Sequence, residues 1–177
     1  MTTLENLNIS NKEEVAFVER VYTDSFPQSE RRPFDTMIDL YNESNKFIIQ
    51  IVEQDGKNIG FLTFWDLGEF IFAEHFAIAT EARNGGIGAI VMNLFMGEQI
   101  KPIVLEVEIP VTSLAERRIG FYQRLGYKLW ESFTYHQPPY HEGENPIPMH
   151  LMTWGKIDLD KKFSEIKESI YTEIYNY

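Results

Sequence analysis

The chain contains no cysteine among its 177 residues. Disulfide frameworks, zinc sites built on thiolates and cysteine nucleophiles are therefore excluded. No apolar run approaches the roughly 18 residues that a membrane-crossing helix needs. Residues 1–5 also lack the basic and then apolar pattern of a secretory signal. We therefore expect a cytoplasmic protein that does not bind a membrane.

Positive charge is scarce relative to negative charge. Sixteen lysines and arginines face 27 aspartates and glutamates, which gives a formal net charge of −11 at pH 7. Nucleic-acid-binding proteins usually carry a basic patch, because contacts to phosphate dominate their affinity. Nucleic acid is therefore not expected as a partner. The acidic balance keeps a protein soluble and mildly favours cationic substrates by electrostatic steering.

Two nucleotide-binding motifs and a metal motif are missing as well. The glycine-rich segment has neither the G-x-G-x-x-G spacing of a dinucleotide fold nor the Gly-Lys-Ser/Thr of a P-loop. His136 and His141 form no zinc pattern with a third ligand, so no metal is predicted. We expect His75 to be a hydrogen-bonded structural histidine that points away from its neighbour Glu74, because side chains alternate along a strand.

The composition is that of an ordinary globular protein, with 44% hydrophobic and 14% aromatic residues. The length fits one domain, so residues 1–177 are predicted to form a single domain. Strand-like and helix-like periodicities alternate along the chain, which indicates an α/β or α+β layered fold.

The predicted elements follow from these periodicities and from turn signals. Asn11 with Glu14 resembles a helix capping box, Asp55-Gly56 is a hairpin signal, Ser113 is a predicted helix cap and Gly126 a helix stop. The predicted strands cover residues 4–9, 46–53, 58–65, 69–79, 103–109, 127–135 and 147–154. The predicted helices cover residues 12–24, 33–42, 86–96, 114–125 and 160–175.

The most informative segment is residues 81–88, Glu-Ala-Arg-Asn-Gly-Gly-Ile-Gly, between a predicted strand and a predicted helix. Glycine lets the backbone adopt positive φ and approach a ligand closely. Backbone N–H groups at a helix start suit a pyrophosphate, and Arg83 adds a cation beside them. On these residues alone, a tight turn with no ligand is an equal alternative.

Arg83-x-x-Gly86-x-Gly88 resembles the R/Q-x-x-G-x-G/A signature of the GCN5-related N-acetyltransferase (GNAT) superfamily. Residues 74–78 resemble the fourth strand of that family, and residues 118–127 resemble its second hallmark helix. Tyr122 follows Gly88 by 34 residues, with a strand between them. The resemblance covers roughly residues 1–155. It implies a GNAT-like acyl-CoA N-acyltransferase fold, with a mixed central sheet of about seven strands flanked by helices. A C-terminal helix would follow at about residues 158–177.

The resemblance also implies roles for particular residues. The pyrophosphate of acetyl-CoA, the acyl donor, would bind the turn formed by Arg83, Asn84, Gly85, Gly86, Ile87 and Gly88. The pantetheine arm would pair with the fourth strand at Phe76, Ala77 and Ile78. Tyr122 matches the family's general acid, and Glu106 or Glu74 would be the general base unless a water chain replaces them. Ala115 departs from the family, because many members carry asparagine at that position.

The acceptor site is also implied by the resemblance. Two loops would line it, through Phe26, Arg31, Arg32, Tyr135, Gln137 and Tyr140. Both loops are rich in aromatic and proline residues, as a rigid pocket requires. Arg117 and Arg118 would form a solvated helix face, with a contact to the cofactor as the alternative.

We therefore expect an acetyl-CoA-dependent N-acetyltransferase that acetylates a primary amine of a small molecule. The alternatives are protein or peptide N-acetylation, a non-catalytic acyl-CoA-binding protein and a protein-interaction module. The sequence leaves open the acceptor, the acyl length and the oligomeric state. Ile166, Ile170 and Ile174 form a helix face that would pack either on the domain itself or on a second subunit, as in a homodimer.

Overall fold

The computed structural model describes residues 1–83 and 85–177, and Asn84 with its predicted role lies outside the described residues. The seven strands form a mixed sheet, as predicted. The chain divides into two compact units. The first comprises residues 1–65 and 73–98, and the second comprises residues 66–72 and 99–177. The single domain inferred from chain length stays a prediction.

The first unit carries four strands in the order β1-β2-β3-β4, with three helices. β1 pairs antiparallel with β2, and β2 pairs antiparallel with β3. Its elements are β1 (Thr2–Asn6), α1 (Lys12–Ser25), α2 (Phe34–Glu43), β2 (Phe47–Gln54), β3 (Lys57–Asp66), β4 (Ile71–Ile78) and α3 (Ile87–Glu98).

Local polar groups set the ends of these elements. The side chain of Asn11 accepts hydrogen bonds from the backbone N–H groups of Glu13 (3.1 Å) and Glu14 (3.4 Å), which confirms the predicted cap of α1. Asp55 and Gly56 both have positive φ, of 51° and 76°. Positive φ at both central residues is the geometry of a type I′ hairpin turn, which confirms the predicted turn between β2 and β3.

The first strand is shorter and earlier than predicted. Its predicted range was 4–9, but β1 ends at Asn6 because the next residues form a turn that leads into α1. In that turn the backbone N–H of Ser10 donates to the side chain of Asn8, and the N–H of Asn11 donates to the carbonyl of Asn8. The apolar residues Leu7 and Ile9 give this segment an alternating pattern that local hydrogen bonding overrides.

The second unit carries three strands in the order β5-β7-β6, both pairs antiparallel. Gly126 follows the C-cap of α4 with a φ of +91°, which confirms the predicted helix stop. Its N-cap is Thr112 rather than Ser113, because the Thr112 hydroxyl accepts from the N–H of Ala115. The elements are β5 (Ile103–Glu108), α4 (Ser113–Arg124), β6 (Lys128–Gln137), β7 (Ile147–Trp154), α5 (Leu159–Ile170) and a π-helix (Tyr171–Tyr175).

The C-terminal helix changes its form instead of running as one α-helix. α5 ends at Ile170, and the chain continues as the π-helix. Ile166, Ile170 and Ile174 are buried within the single chain, with at most 5% of their surface exposed. Their apolar face is therefore covered without a second subunit. Among residues 1–83 and 85–177, no helix has the length and apolar character needed to cross a bilayer.

Gly60 provides a test of packing between β3 and β4. A Cβ added there would lie 2.5 Å from the backbone oxygen of Ala77 and 2.8 Å from Cδ1 of Ile78. We expect Gly60→Ala to lower the free energy of unfolding by about 1–3 kcal/mol, because backbone cannot move aside cheaply. Urea unfolding measures the change.

Gly97→Ala is the matched control. It lies in α3 of the same unit, and an added Cβ would meet nothing within 4 Å. We expect a gain of about 0.5–1 kcal/mol, since alanine suits a helix better than glycine. Equal stability of the two alanine variants would contradict the close approach at Gly60.

Candidate functional site

The glycine-rich turn lies between β4 and α3 in the first unit. A short 3₁₀ turn (Thr80–Ala82) follows β4, and Gly85 and Gly86 then take φ values of +65° and +75° before α3 begins at Ile87. Residues other than glycine rarely adopt these angles. This conformation requires the two glycines, and it turns the chain directly into the first turn of α3.

An open depression of about 490 Å³ lies against this turn. Its lining is formed by Ile78, Arg83, Gly85, Gly86, Ile87 and Gly88. The first N–H groups of an α-helix have no acceptor within the helix. The start of α3 therefore presents backbone donors, together with the positive end of the helix dipole, at an open surface that suits an anion.

Arg83 ties the turn to its neighbours in the first unit. Its Nε donates to the carbonyl of Ile78 at 2.7 Å, and its Nη2 donates to the hydroxyl of Ser25 at 3.2 Å. The side chain thus joins the end of β4 to the end of α1. Of the other predicted cofactor residues, Ala77 and Ile78 are buried and Phe76 is half-buried on β4.

Glu74 and Arg32 form a buried ion pair. The Nη2 of Arg32 contacts Oε1 of Glu74, and their side chains are only 8% and 1% exposed. Oε2 of Glu74 accepts from the indole N–H of Trp65 at 2.9 Å. Arg32 also lies near the rings of Phe47 and Trp65, 5.8 and 5.7 Å from their centroids. One candidate base and one candidate acceptor residue are thus joined to each other.

His75 is held by hydrogen bonds on both sides of its ring. Nε2 lies 3.0 Å from the carbonyl oxygen of Glu30, which can only accept, so Nε2 carries the proton. Nδ1 lies 3.3 Å from the hydroxyl of Thr63. Burial lowers the pKa of His75, which keeps the ring neutral. Nδ1 also lies 3.9 Å from Oε2 of the neighbouring Glu74.

Of the remaining predicted acceptor residues of the first unit, Phe26 packs against this ring and Arg31 bonds to Phe26. The centroid of Phe26 lies 4.7 Å from that of His75. Arg31 donates from Nε to the carbonyl of Phe26 at 3.0 Å. The loop between α1 and α2 is therefore well ordered by contacts to β4, with aromatic and cationic side chains at its surface.

Glu106 lies on β5 of the second unit and receives a hydrogen bond at each carboxylate oxygen. The hydroxyl of Tyr135, on β6, donates to Oε1. The hydroxyl of Tyr175, from the C-terminal π-helix, donates to Oε2 at 2.8 Å. Burial and the nearby Glu106 charge raise the pKa of Tyr135 well above its usual value, so this phenol stays a donor.

The sequence pattern does not predict the contact of Tyr175 with Glu106. The pattern assigned the C-terminal helix only an isoleucine packing face. The tyrosine repeat at 171, 175 and 177 gives no functional signal by itself. Of the predicted residues nearby, Tyr140 packs on Tyr175 with ring centroids 5.1 Å apart, and Gln137 is buried at the end of β6.

Tyr122 lies in the last turns of α4. Its ring contacts those of Phe121 and Tyr127, with centroids 5.1 and 5.4 Å away. Burial raises the pKa of Tyr122 to about 12, partly opposed by Arg118. The phenol is therefore protonated at neutral pH, as a general acid must be. Arg118 itself pairs with Glu108 at 2.6 Å.

Within the described part of the chain, no histidine, aspartate and glutamate side chains come together as a metal-binding group of three or more. Ala115, the departure from the family pattern, is buried, and its N–H is used by the Thr112 cap.

Comparisons with known proteins agree on one family. Residues 45–129 match the model of the acetyltransferase (GNAT) domain. A structure from Bacteroides thetaiotaomicron, described as an acetyltransferase of the GNAT family, is 38% identical to this chain. The match covers 99% of each chain with a TM-score of 0.95. A search among curated proteins found no significant match.

Two more distant structures share the fold. The ribosomal-protein-S18-alanine N-acetyltransferase from Escherichia coli is 16% identical, with a TM-score of 0.61 over 88% of this chain and 97% of that one. Arabidopsis thaliana Naa50 in complex with the bisubstrate analogue CoA-Ac-MVNAL is 14% identical, with a TM-score of 0.59 over 87% and 98%. At these identities the likeness concerns the fold alone.

The Arg32–Glu74 pair yields a stability prediction. We expect Glu74→Gln to lower the free energy of unfolding by roughly 3–5 kcal/mol, because it leaves the buried guanidinium without a countercharge. Urea unfolding at neutral pH measures the loss. Glu81→Gln, which breaks the exposed pair with Arg20 in the same unit, is the control and should change little. A Glu74→Gln variant as stable as this control would contradict a structural role for the pair.

Proposed function

Since the chain belongs to the GNAT family of acetyltransferases and is thereby an acyltransferase, we propose that it transfers the acetyl group of acetyl-CoA to the primary amine of a small molecule. Acetyl-CoA is the substrate that the family uses. The new C–N bond forms at the thioester carbonyl carbon as the C–S bond breaks. The amine loses one proton and the CoA sulfur gains one.

The observation that carries the proposal is the turn before α3. Gly85 and Gly86 both have positive φ, and together with Ile87 and Gly88 they line the open depression. We assign the donor pyrophosphate to the backbone N–H groups of this turn, since they and the helix dipole favour an anion. Arg83 fixes the turn through Ile78 and Ser25, and the pantetheine arm is assigned to β4 at Phe76, Ala77 and Ile78.

Proton transfer is assigned to two residues of the second unit. An ammonium has no lone pair, so the acceptor must first lose a proton to a base. Glu106 is the proposed base, with the carboxylate held in one orientation by Tyr135 and Tyr175. Tyr122 is the proposed acid toward the leaving sulfur, because its phenol is protonated at neutral pH and so carries a proton to donate.

Glu74 is the weaker candidate for the base. Protonating it would neutralise the countercharge of Arg32, and a buried cation without its partner is costly. Two of the groups that bind Glu106 are neutral phenols, and neither of them needs the carboxylate as a countercharge. We therefore propose that Glu74 orders the loop between α1 and α2, and that Arg31 and Phe26 at its surface contact the acceptor.

A small amine is favoured by charge and by one loop contact. The net charge of −11 steers cationic molecules toward the protein. The connection between β6 and β7 is anchored where Tyr140 packs on Tyr175, as a rigid wall of an acceptor site requires. Tyr135 and Gln137 contribute the buried polar groups at the end of β6.

An amine panel tests the proposal. Purified protein is incubated with acetyl-CoA and each of three acceptors, namely spermidine, a short peptide that begins with alanine, and the peptide Met-Val-Asn-Ala-Leu. Release of CoA thiol is measured, and acetylation is checked by mass spectrometry. Turnover of spermidine supports the small-molecule assignment. Turnover of a peptide alone would overturn that assignment while keeping the acetyl transfer, and turnover of none would contradict the proposed function for these acceptor classes.

Gly86→Val tests the donor turn. Valine avoids a φ of +75°, and the strain is of order 1–3 kcal/mol. We expect acetyl-CoA binding, measured by calorimetry, to weaken about tenfold or more. Gly56→Val is a close control, since Gly56 has a φ of +76° and equally open surroundings in the β2–β3 hairpin. Similar losses of affinity in both variants would contradict a specific role for the turn.

Tyr122→Phe tests the proposed acid. We expect kcat to fall about 100-fold, within the range for loss of a general acid, while the KM for acetyl-CoA stays near its original value. The control is Tyr127→Phe, since the Tyr127 hydroxyl is buried without a hydrogen-bond partner among the described residues. Equal kcat values for the two variants would remove Tyr122 from the mechanism.

A further inference from the structure

The last residues of the chain reach the carboxylate of Glu106. Tyr175 donates its hydroxyl proton to Oε2 at 2.8 Å, across 69 positions of sequence. Tyr135 donates to the other oxygen from β6. We propose that Tyr175 is a positioning residue of the acetyl transfer, which holds Glu106 ionised and aimed in concert with Tyr135. This inference rests on the proposed role of Glu106 as the base.

The geometry of the chain end favours a fixed contact over a loose terminus. Ile170, directly before the π-helix, and Ile174, within it, are both buried and anchor this segment. The N–H groups of Asn176 and Tyr177 both donate to the carbonyl of Tyr171, and Asn176 takes a φ of +53°. The backbone hydrogen bonding of this segment therefore continues through Tyr177.

The π-helix is a second observation that supports a functional role for Tyr175. A π-helical turn winds fewer degrees per residue than an α-helical turn, so it rotates the residues that follow. Such turns are rare and occur frequently at functional sites. Here the widened turn begins at Tyr171, and Tyr175 is the residue that reaches Glu106. The change from α to π therefore coincides with the segment that delivers the hydroxyl group.

The two phenols act on the charge state of Glu106. Hydrogen bonds donated to an ionised carboxylate favour the ionised form, which is the form that can accept a proton. With one donor on each oxygen, rotation of the carboxylate costs both bonds. This restriction holds the carboxylate in one orientation toward the approaching ammonium, and such pre-orientation lowers the barrier to proton transfer.

Several other groups of the second unit lie near this carboxylate or on its strand. Tyr171 lies against Tyr135, with ring centroids 5.7 Å apart, and its hydroxyl donates to the carbonyl of His136. Tyr140 packs on Tyr175. On the same strand, Glu108 is paired with Arg118. The phenols are neutral in their protonated form, so removing one hydroxyl changes a hydrogen bond and leaves the formal charge unchanged.

Tyr175→Phe is the test, because it keeps the ring that packs on Tyr140 and removes only the hydroxyl. The carboxyl of Glu106 is titrated by carbon-13 NMR, with its signal identified by its loss in Glu106→Gln. We expect its midpoint to move upward by about 0.5–1 pH unit. The acidic limb of kcat/KM, measured with the best acceptor of the amine panel, should move upward by the same amount, with a lower kcat and unchanged acetyl-CoA binding.

Tyr171→Phe is the matched control, since it removes a neighbouring hydroxyl that bonds the backbone rather than Glu106. Its titration midpoint and acidic limb should stay at the wild-type values. Tyr135→Phe should shift both in the same direction as Tyr175→Phe. An unmoved midpoint and limb in Tyr175→Phe would overturn the inference. A wild-type protein that binds acetyl-CoA and acetylates no panel amine would instead count against the proposed function, and the NMR titration would still decide whether Tyr175 holds the carboxylate.

Discussion

The buried ion pair between Arg32 and Glu74 is the constraint on which the first unit depends. Each charge is buried only because the other is buried beside it. Removing one partner of such a pair leaves an unpaired buried charge and lowers the free energy of unfolding by about 3–5 kcal/mol. The side chains are only 8% and 1% exposed. The pair therefore fixes the loop after α1 against β4. His75 secures the same loop at Glu30, so two consecutive residues of β4 hold one connection in place.

This constraint also separates the two candidate bases. Glu74 and Glu106 differ in the charge of the partners described for them. Glu74 contacts the guanidinium of Arg32 and the indole of Trp65, whereas Glu106 accepts from the phenols of Tyr135 and Tyr175. A carboxylate that pairs with a buried cation stays ionised, because protonating it would leave that cation without its countercharge. A carboxylate bound by neutral donors can exchange a proton at a smaller electrostatic cost, as a catalytic base must.

Local signals explain which features the sequence could predict. The cap at Asn11, the Asp55-Gly56 hairpin, the stop at Gly126 and the glycine pair before α3 each depend on residues within a few positions of one another. The prediction of a strand at residues 4–9 is wrong for the same reason, since it used only neighbouring residues. Leu7 and Ile9 give an alternating apolar pattern, but they lie in a turn. The Arg32–Glu74 pair spans 42 positions and the Tyr175–Glu106 contact spans 69, and neither leaves a periodic pattern in the sequence.

The C-terminal tyrosines show why such a contact escapes pattern analysis. A continuous α-helix explains the isoleucines at spacing four and leaves Tyr171 and Tyr175 as an exposed pair on another face. The π-helix keeps Ile170 and Ile174 buried while it turns Tyr175 toward Glu106. Apolar burial and the polar contact are thus both present with the wider turn. The hydrogen bond to Glu106 is a long-range interaction that favours the π-helical geometry of residues 171–175. Local helix propensity does not predict this geometry.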